Sequence, residues 1–184
     1  MSHLADHSAA LSLATKRASE DIEAAGFRPL FKQPTGSAFY GKDDPGDYDV
    51  LVLIRDSNAP DGHDIFGRGD GMPGYRPNDM LGFIEAMKPL GYADCGEDGN
   101  TSGGNTDEED YHGSWCALRR EFAGKTLNIL ATTDIIWYYR QAASTALCRQ
   151  MAEEFSIFPG KEEFVGVFRA VREGVNPYTG EKED

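Results

Sequence analysis

Asp47 and Asp49, separated by Tyr48 and followed by Val50-Leu51-Val52-Leu53-Ile54, are the side chains whose types and spacing point most directly to chemistry. On a β-strand, side chains two apart share a face. The spacing therefore predicts two carboxylates projecting together while Tyr48 and Val50 face the other way. Carboxylates held that close repel unless a cation lies between them, and hard oxygen ligands of this kind suit Mg²⁺ or Mn²⁺. Upstream, beyond the nine residues Ala38 to Gly46, stands Gly36-Ser37. Glycine lets the backbone approach a ligand closely, so such a turn can offer N–H groups and a hydroxyl to a phosphate. A phosphate cradle followed by metal-binding carboxylates is the layout of nucleotide chemistry.

These elements, Gly36-Ser37, the spacer and Asp47-Tyr48-Asp49-Val50, resemble the signature of the DNA polymerase β-like nucleotidyltransferase superfamily. The resemblance implies an α/β (α+β) fold, a mixed sheet with helices on one side, ending in C-terminal helices. It implies that Gly36 and Ser37 hold the triphosphate of an NTP and that Asp47 and Asp49 hold catalytic Mg²⁺ or Mn²⁺. It also implies transfer of a nucleotidyl group to a hydroxyl on an acceptor, which within the family is a protein, an RNA or a small molecule. Two positions depart from the pattern. Thr35 stands before the glycine, where the family usually has an apolar residue. Asn128, in Thr126-Leu127-Asn128-Ile129-Leu130, stands where the family has a third metal-binding acid.

An amide oxygen can coordinate Mg²⁺, but it is neutral and cannot take a proton from an attacking hydroxyl. Removing one negative charge weakens the metal that activates the nucleophile. The sequence therefore supports nucleotide–Mg²⁺ binding better than turnover, with Glu109, Asp110 or Asp134 as alternatives for the missing acid. The stretch from Leu118-Arg119-Arg120 to Tyr139-Arg140-Gln141 also looks like that of small bacteriophage-encoded nucleotidyltransferase-like proteins with a similar Asn-containing strand. The other outcome is a catalytically impaired member that serves as an interaction or inhibitor module, binding a host protein through acidic loops. Lys42 and Arg119 are the basic residues expected at the phosphates, with Lys32, Arg120, Lys125 and Arg140 near, and surface charge or ion pairing is the alternative for each of the six singly.

The elements that must position these residues are legible in outline. Leu11, Leu13, Ala14, Ala18, Ile22 and Ala25 form an apolar stripe over a helix of about 8–25, which Gly26 ends. Phe27 to Phe31 reads as a short strand stopping at the Lys32-Gln33-Pro34 corner, 37–40 as a short helix, and Asp47 to Ile54 as a central, buried strand. The Gly- and Pro-rich run 56–78 reads as a loop, and Asp79 as the cap of a helix over Met80 to Met87. Tyr92 to Cys95 reads as a strand. Trp115 to Phe122 and Thr126 to Ala131 read as a hairpin turning at Gly124-Lys125. Asp134 caps a helix over Ile135 to Phe155, and a last helix, Lys161 to Glu173, buries Phe164, Val165, Val167, Phe168 and Val171. At 184 residues this is one domain: a core over about 8–133, C-terminal helices over about 134–174, and a frayed tail at 175–184.

Composition bounds the rest. A net charge of −13 argues against affinity for duplex nucleic acid, which needs a basic footprint. From Pro89 to Leu118 there is no Lys or Arg, against the acids Asp94, Glu97, Asp98, Asp107, Glu108, Glu109 and Asp110. That run reads as a solvated loop or, more sharply, as an interaction segment. Cys95, Cys116 and Cys148 are odd in number and without a C-x-x-C pair, which fits reduced, packed thiols. No membrane-length apolar run and no secretory signal is read, so a cytoplasmic protein is expected, in the host cytoplasm if phage-encoded. His63, His112, Ser114 and Ser144 have no neighbours in sequence that make a site.

Overall fold

The computed structural model describes residues 4–57, 80–95, 115–175 and Lys182. Helix α1 (Ser8–Ala24) leads into β1 (Phe27–Thr35), the five-residue helix α2 (Gly36–Tyr40) and β2 (Asp47–Asp56). Then come α3 (Met80–Met87) with a 3-10 turn at Lys88–Leu90, β3 (Ala93–Asp94), the hairpin β4 (Trp115–Phe122) and β5 (Lys125–Thr132), and helices α4 (Ile135–Phe155) and α5 (Lys161–Glu173). The strands form one mixed sheet in the order β1-β2-β5-β4-β3, with β2 and β5 parallel and the other pairs antiparallel.

Strand β2 is central and both of its faces are covered, because its residues alternate between two clusters. Tyr48, Val50, Val52 and Ile54 pack with Leu11, Ala14, Ala18 and Ile22 of α1 and Phe83 and Met87 of α3. Leu51 and Leu53 pack with Ile135, Trp137 and Tyr138 of α4 and Phe168 of α5. The expected α+β fold, a mixed sheet with C-terminal helices, is present, and the helices lie on both faces, which corrects only the expectation of helices on one side. Trp137 stacks on Trp115 of β4 with ring centroids 5.3 Å apart and planes 13° from parallel, fixing α4 across the sheet.

Several boundaries differ from the sequence reading for physical reasons. β1 does not stop at Phe31 but runs on to Thr35, with a bulge between Pro29 and Phe31. It is an edge strand, where proline's missing N–H costs no ladder bond. Lys125 belongs to β5, and the hairpin turns at Ala123 and Gly124, both with positive φ (51° and 75°). Leu13 and Val165 fall off their helices' buried faces and are 62% and 40% exposed. The helix bounds of α3, α4 and α5 match the reading, and Gly26 at φ 88° follows α1. The loop at 58–78, the cap assigned to Asp79, and the acidic residues Glu97, Asp98 and Asp107 to Asp110 lie outside the described residues. So do His63, His112, Ser114 and most of the tail.

A buried polar knot ties α1 to the far strands. Asp21, 5% exposed, accepts from Arg17 Nε (3.0 Å), Arg120 Nη1 (3.1 Å) and Tyr92 Oη (2.9 Å). Arg120 also donates to the Leu90 carbonyl at 2.9 Å and lies over the Tyr92 ring. All three cysteines are free and buried. No helix among the described residues is long and apolar enough to cross a membrane.

Candidate active site

Three adjacent strands bring the site together. The antiparallel register of β1 on β2 sets Thr35 beside Asp49, and the parallel register of β2 on β5 sets Asp49 beside Asn128. Across the hairpin, Arg119 of β4 is the register partner of Asn128, so the basic side chain assigned to phosphate stands on the same face. Asp47 and Asp49 share the α4 side of the sheet, as their spacing predicts. Their carboxylates converge on one point: Asn128 Nδ2 donates to Asp47 Oδ2 at 2.7 Å and to Asp49 Oδ1 at 3.0 Å.

In this arrangement Asn128 meets the two carboxylates as a donor. Its amide nitrogen, not its oxygen, faces the carboxylates, and its two N–H groups lie where the positive charge of a cation would offset the same oxygens. Presenting the oxygen to a cation requires a half-turn of the amide, which changes no other heavy-atom position.

The Gly36 turn is built around Asp49. Gly36 has φ +72°, and a Cβ placed on it would fall 1.9 Å from Asp49 Oδ2. Only glycine satisfies both the left-handed backbone and the contact. Gly36 and Ser37 open α2, with Gly36 directly against the Asp49 carboxylate, and the turn is closed by Lys42 N donating to the Ser37 carbonyl at 3.1 Å and Gly41 N to the Ala38 carbonyl. Lys42 itself is exposed, and its carbonyl bonds His7 Nε2 at 2.7 Å. Thr35, the residue that departs from the apolar pattern, is buried, with its hydroxyl 2.7 Å from that of Thr145 on α4. That partner lies 110 positions away and leaves no local signal in the sequence.

Burial, then the neighbouring charge of Asp47, push the Asp49 carboxyl up to about 7; the Asn128 donor opposes them. Burial also raises the Tyr40 hydroxyl well above its ordinary range, with smaller contributions from the Cys148 thiol and Asp49.

Other sequence candidates are spent elsewhere. Arg120 serves the Asp21 knot, and Lys125 pairs with Asp44 at 3.0 Å. Asp134 caps α4, accepting from Ile136 N (2.8 Å) and Trp137 N (3.2 Å), so its carboxylate is committed to the helix start. Glu109 and Asp110 lie outside the described residues. Among the described residues no group of three or more His, Cys, Asp or Glu side chains is placed to hold a metal ion. A groove of about 890 Å³ between residues 4–8, α1 and α2 is lined by none of Asp47, Asp49 and Asn128 and lies apart from this chemistry.

The residues fit one divalent cation rather than two. Two carboxylates and one amide converge, and hard cations take such oxygen donors, whereas a second metal would need a further acid that the described residues do not bring to this point. No family model, no curated protein and no solved structure matches this chain significantly.

Proposed function

We propose that this chain binds an NTP with one divalent cation, Mg²⁺ or Mn²⁺, and transfers a nucleotidyl group to a hydroxyl acceptor. The observation that carries this reading is the convergence of Asp47 and Asp49 beside a turn whose glycine is packed on the Asp49 carboxylate. In the reaction, the acceptor oxygen bonds to the α-phosphorus, the bond to the bridging oxygen of the β-phosphate breaks, and pyrophosphate leaves with the acceptor proton released. Asp47 and Asp49 would hold the cation, which offsets phosphate charge. Gly36 and Ser37 would offer backbone N–H groups and a hydroxyl to the β/γ-phosphates, and Arg119 would add positive charge on the same face. The acceptor, whether protein, RNA or small molecule, is a matter for assay. Incubation with α-labelled NTP and Mn²⁺ should release pyrophosphate and label an acceptor, and Asp47→Ala/Asp49→Ala should lose both. Activity that survives the double substitution overturns the assignment.

A second reading follows from Asn128. Its amide bonds both carboxylates and supplies no base, which favours a member that binds nucleotide without turnover, or one that uses the fold to engage a host protein. The host-protein form predicts a partner retained by the double-aspartate variant and lost when the acids of 97–110 are made neutral. The reverse pattern excludes it.

A further inference from the structure

Behind the Gly36 turn lies a set of buried polar side chains with no part in the chemistry above. Thr35 is 4% exposed and Thr145 fully buried, and their hydroxyls meet at 2.7 Å. The Tyr40 hydroxyl, also buried, lies beside Thr35, Gly36 and the Cys148 thiol without a well-formed hydrogen bond. The neighbour of Thr145 shows what a helical hydroxyl ordinarily does: Ser144 Oγ donates to the Arg140 carbonyl four residues back at 2.8 Å. Thr145 instead directs its hydroxyl across the helix–strand interface. Burying a hydroxyl without a partner is costly, so the two threonines hold each other in place.

The contacts form a continuous chain. Thr145 of α4 meets Thr35, the last residue of β1; Thr35 precedes Gly36; and Gly36 leaves no room for even a methyl group against Asp49. We propose that Thr145 is a positioning residue: through its hydrogen bond to Thr35, α4 holds the Gly36–Ser37 turn against Asp49 and so sets the carboxylate pair for its cation. This rests on the reading of Asp47 and Asp49 as cation ligands. It also explains why a polar residue occupies the position before the glycine. The C-terminal helical pair then serves as the back wall of the site as well as the cover of the sheet.

The test compares Thr145→Val, which keeps the shape and loses the hydroxyl, with Thr145→Ser, which keeps the hydroxyl and loses a methyl. Amide exchange is followed by NMR at Gly41 and Lys42, whose N–H groups close the turn on Ala38 and Ser37, and, as core references, at Val52 and Ile129; Mn²⁺ uptake is followed by electron paramagnetic resonance, with Asp49→Asn as control. Thr145→Val should speed exchange at Gly41 and Lys42 by about tenfold, the scale of one buried hydrogen bond. Val52 and Ile129 should keep their protection, and Mn²⁺ affinity should fall by about the same factor. Thr145→Ser should stay within about twofold of the parent in both readouts, on the same scale. Equal acceleration at all four amides, no change at Gly41 and Lys42, or altered exchange with unaltered Mn²⁺ affinity each overturns the proposal. If the parent takes up no Mn²⁺, or Asp49→Asn takes it up equally, the cation reading fails instead, and the exchange contrast alone decides whether Thr145 positions the turn.

Discussion

Asn128 holds the balance of the site between protein and ligand. Its amide relieves the repulsion between Asp47 and Asp49 in the way a cation does, with a dipole in place of a charge. Asn128→Asp removes that dipole and adds a third carboxylate, so the metal-free protein should melt lower. It should then gain more from Mn²⁺ than the parent does, with affinity higher by about tenfold or more, since each pK-scale factor of ten corresponds to about 1.4 kcal/mol. Thermal melts with and without Mn²⁺ check this; equal shifts in parent and variant contradict it. Asp49 adds a pH dependence. A carboxyl raised to about 7 in the fold, against about 3.9 unfolded, favours folding when protonated. Its contribution is fully present below about pH 4 and is lost as pH rises through 7. The metal-free protein should therefore lose stability between those limits, and Mn²⁺ affinity should rise over the same range as protons cease to compete. Melts at a series of pH values should show the loss in the parent and not in Asp49→Asn.

At the scale of elements, the sequence made the strand of Asp47 and the long helices legible because their patterns are local. Alternation placed Asp47 and Asp49 together, and the Asp134 cap with the run after it marked α4 to the residue. Contacts that depend on register or on distant partners were not legible. Nothing near Arg120 tells that it closes a knot on Asp21, and nothing near Thr35 points to Thr145. The end of β1 was misplaced because Pro34 reads as a breaker, whereas an edge strand tolerates it. Asp134 shows how an element can claim a candidate ligand. Asp134→Ala should cost about 1 kcal/mol through loss of the cap, Asp134→Asn much less, and neither should change Mn²⁺ affinity. A drop in Mn²⁺ affinity for Asp134→Asn at unchanged melting temperature would show that Asp134 does act as a cation ligand.

Over the whole molecule, one mixed sheet divides the work between its faces. The α1 and α3 side is apolar core closed by the Asp21 knot. The α4 and α5 side buries Leu51 and Leu53 toward one end of β2 and carries Asp47, Asp49, Asn128 and Arg119 toward the other. The chain's acidity would be no obstacle to nucleotide at such a site, because the phosphates would arrive with their cation. The most direct test is titration of the parent and of Asp47→Asn/Asp49→Asn with Mn²⁺ and a non-hydrolysable NTP, followed by calorimetry. The parent should bind nucleotide with a single Mn²⁺, each ligand should strengthen the other, and the double variant should lose this coupling. Nucleotide binding that is equal in both proteins, or indifferent to Mn²⁺, would contradict this.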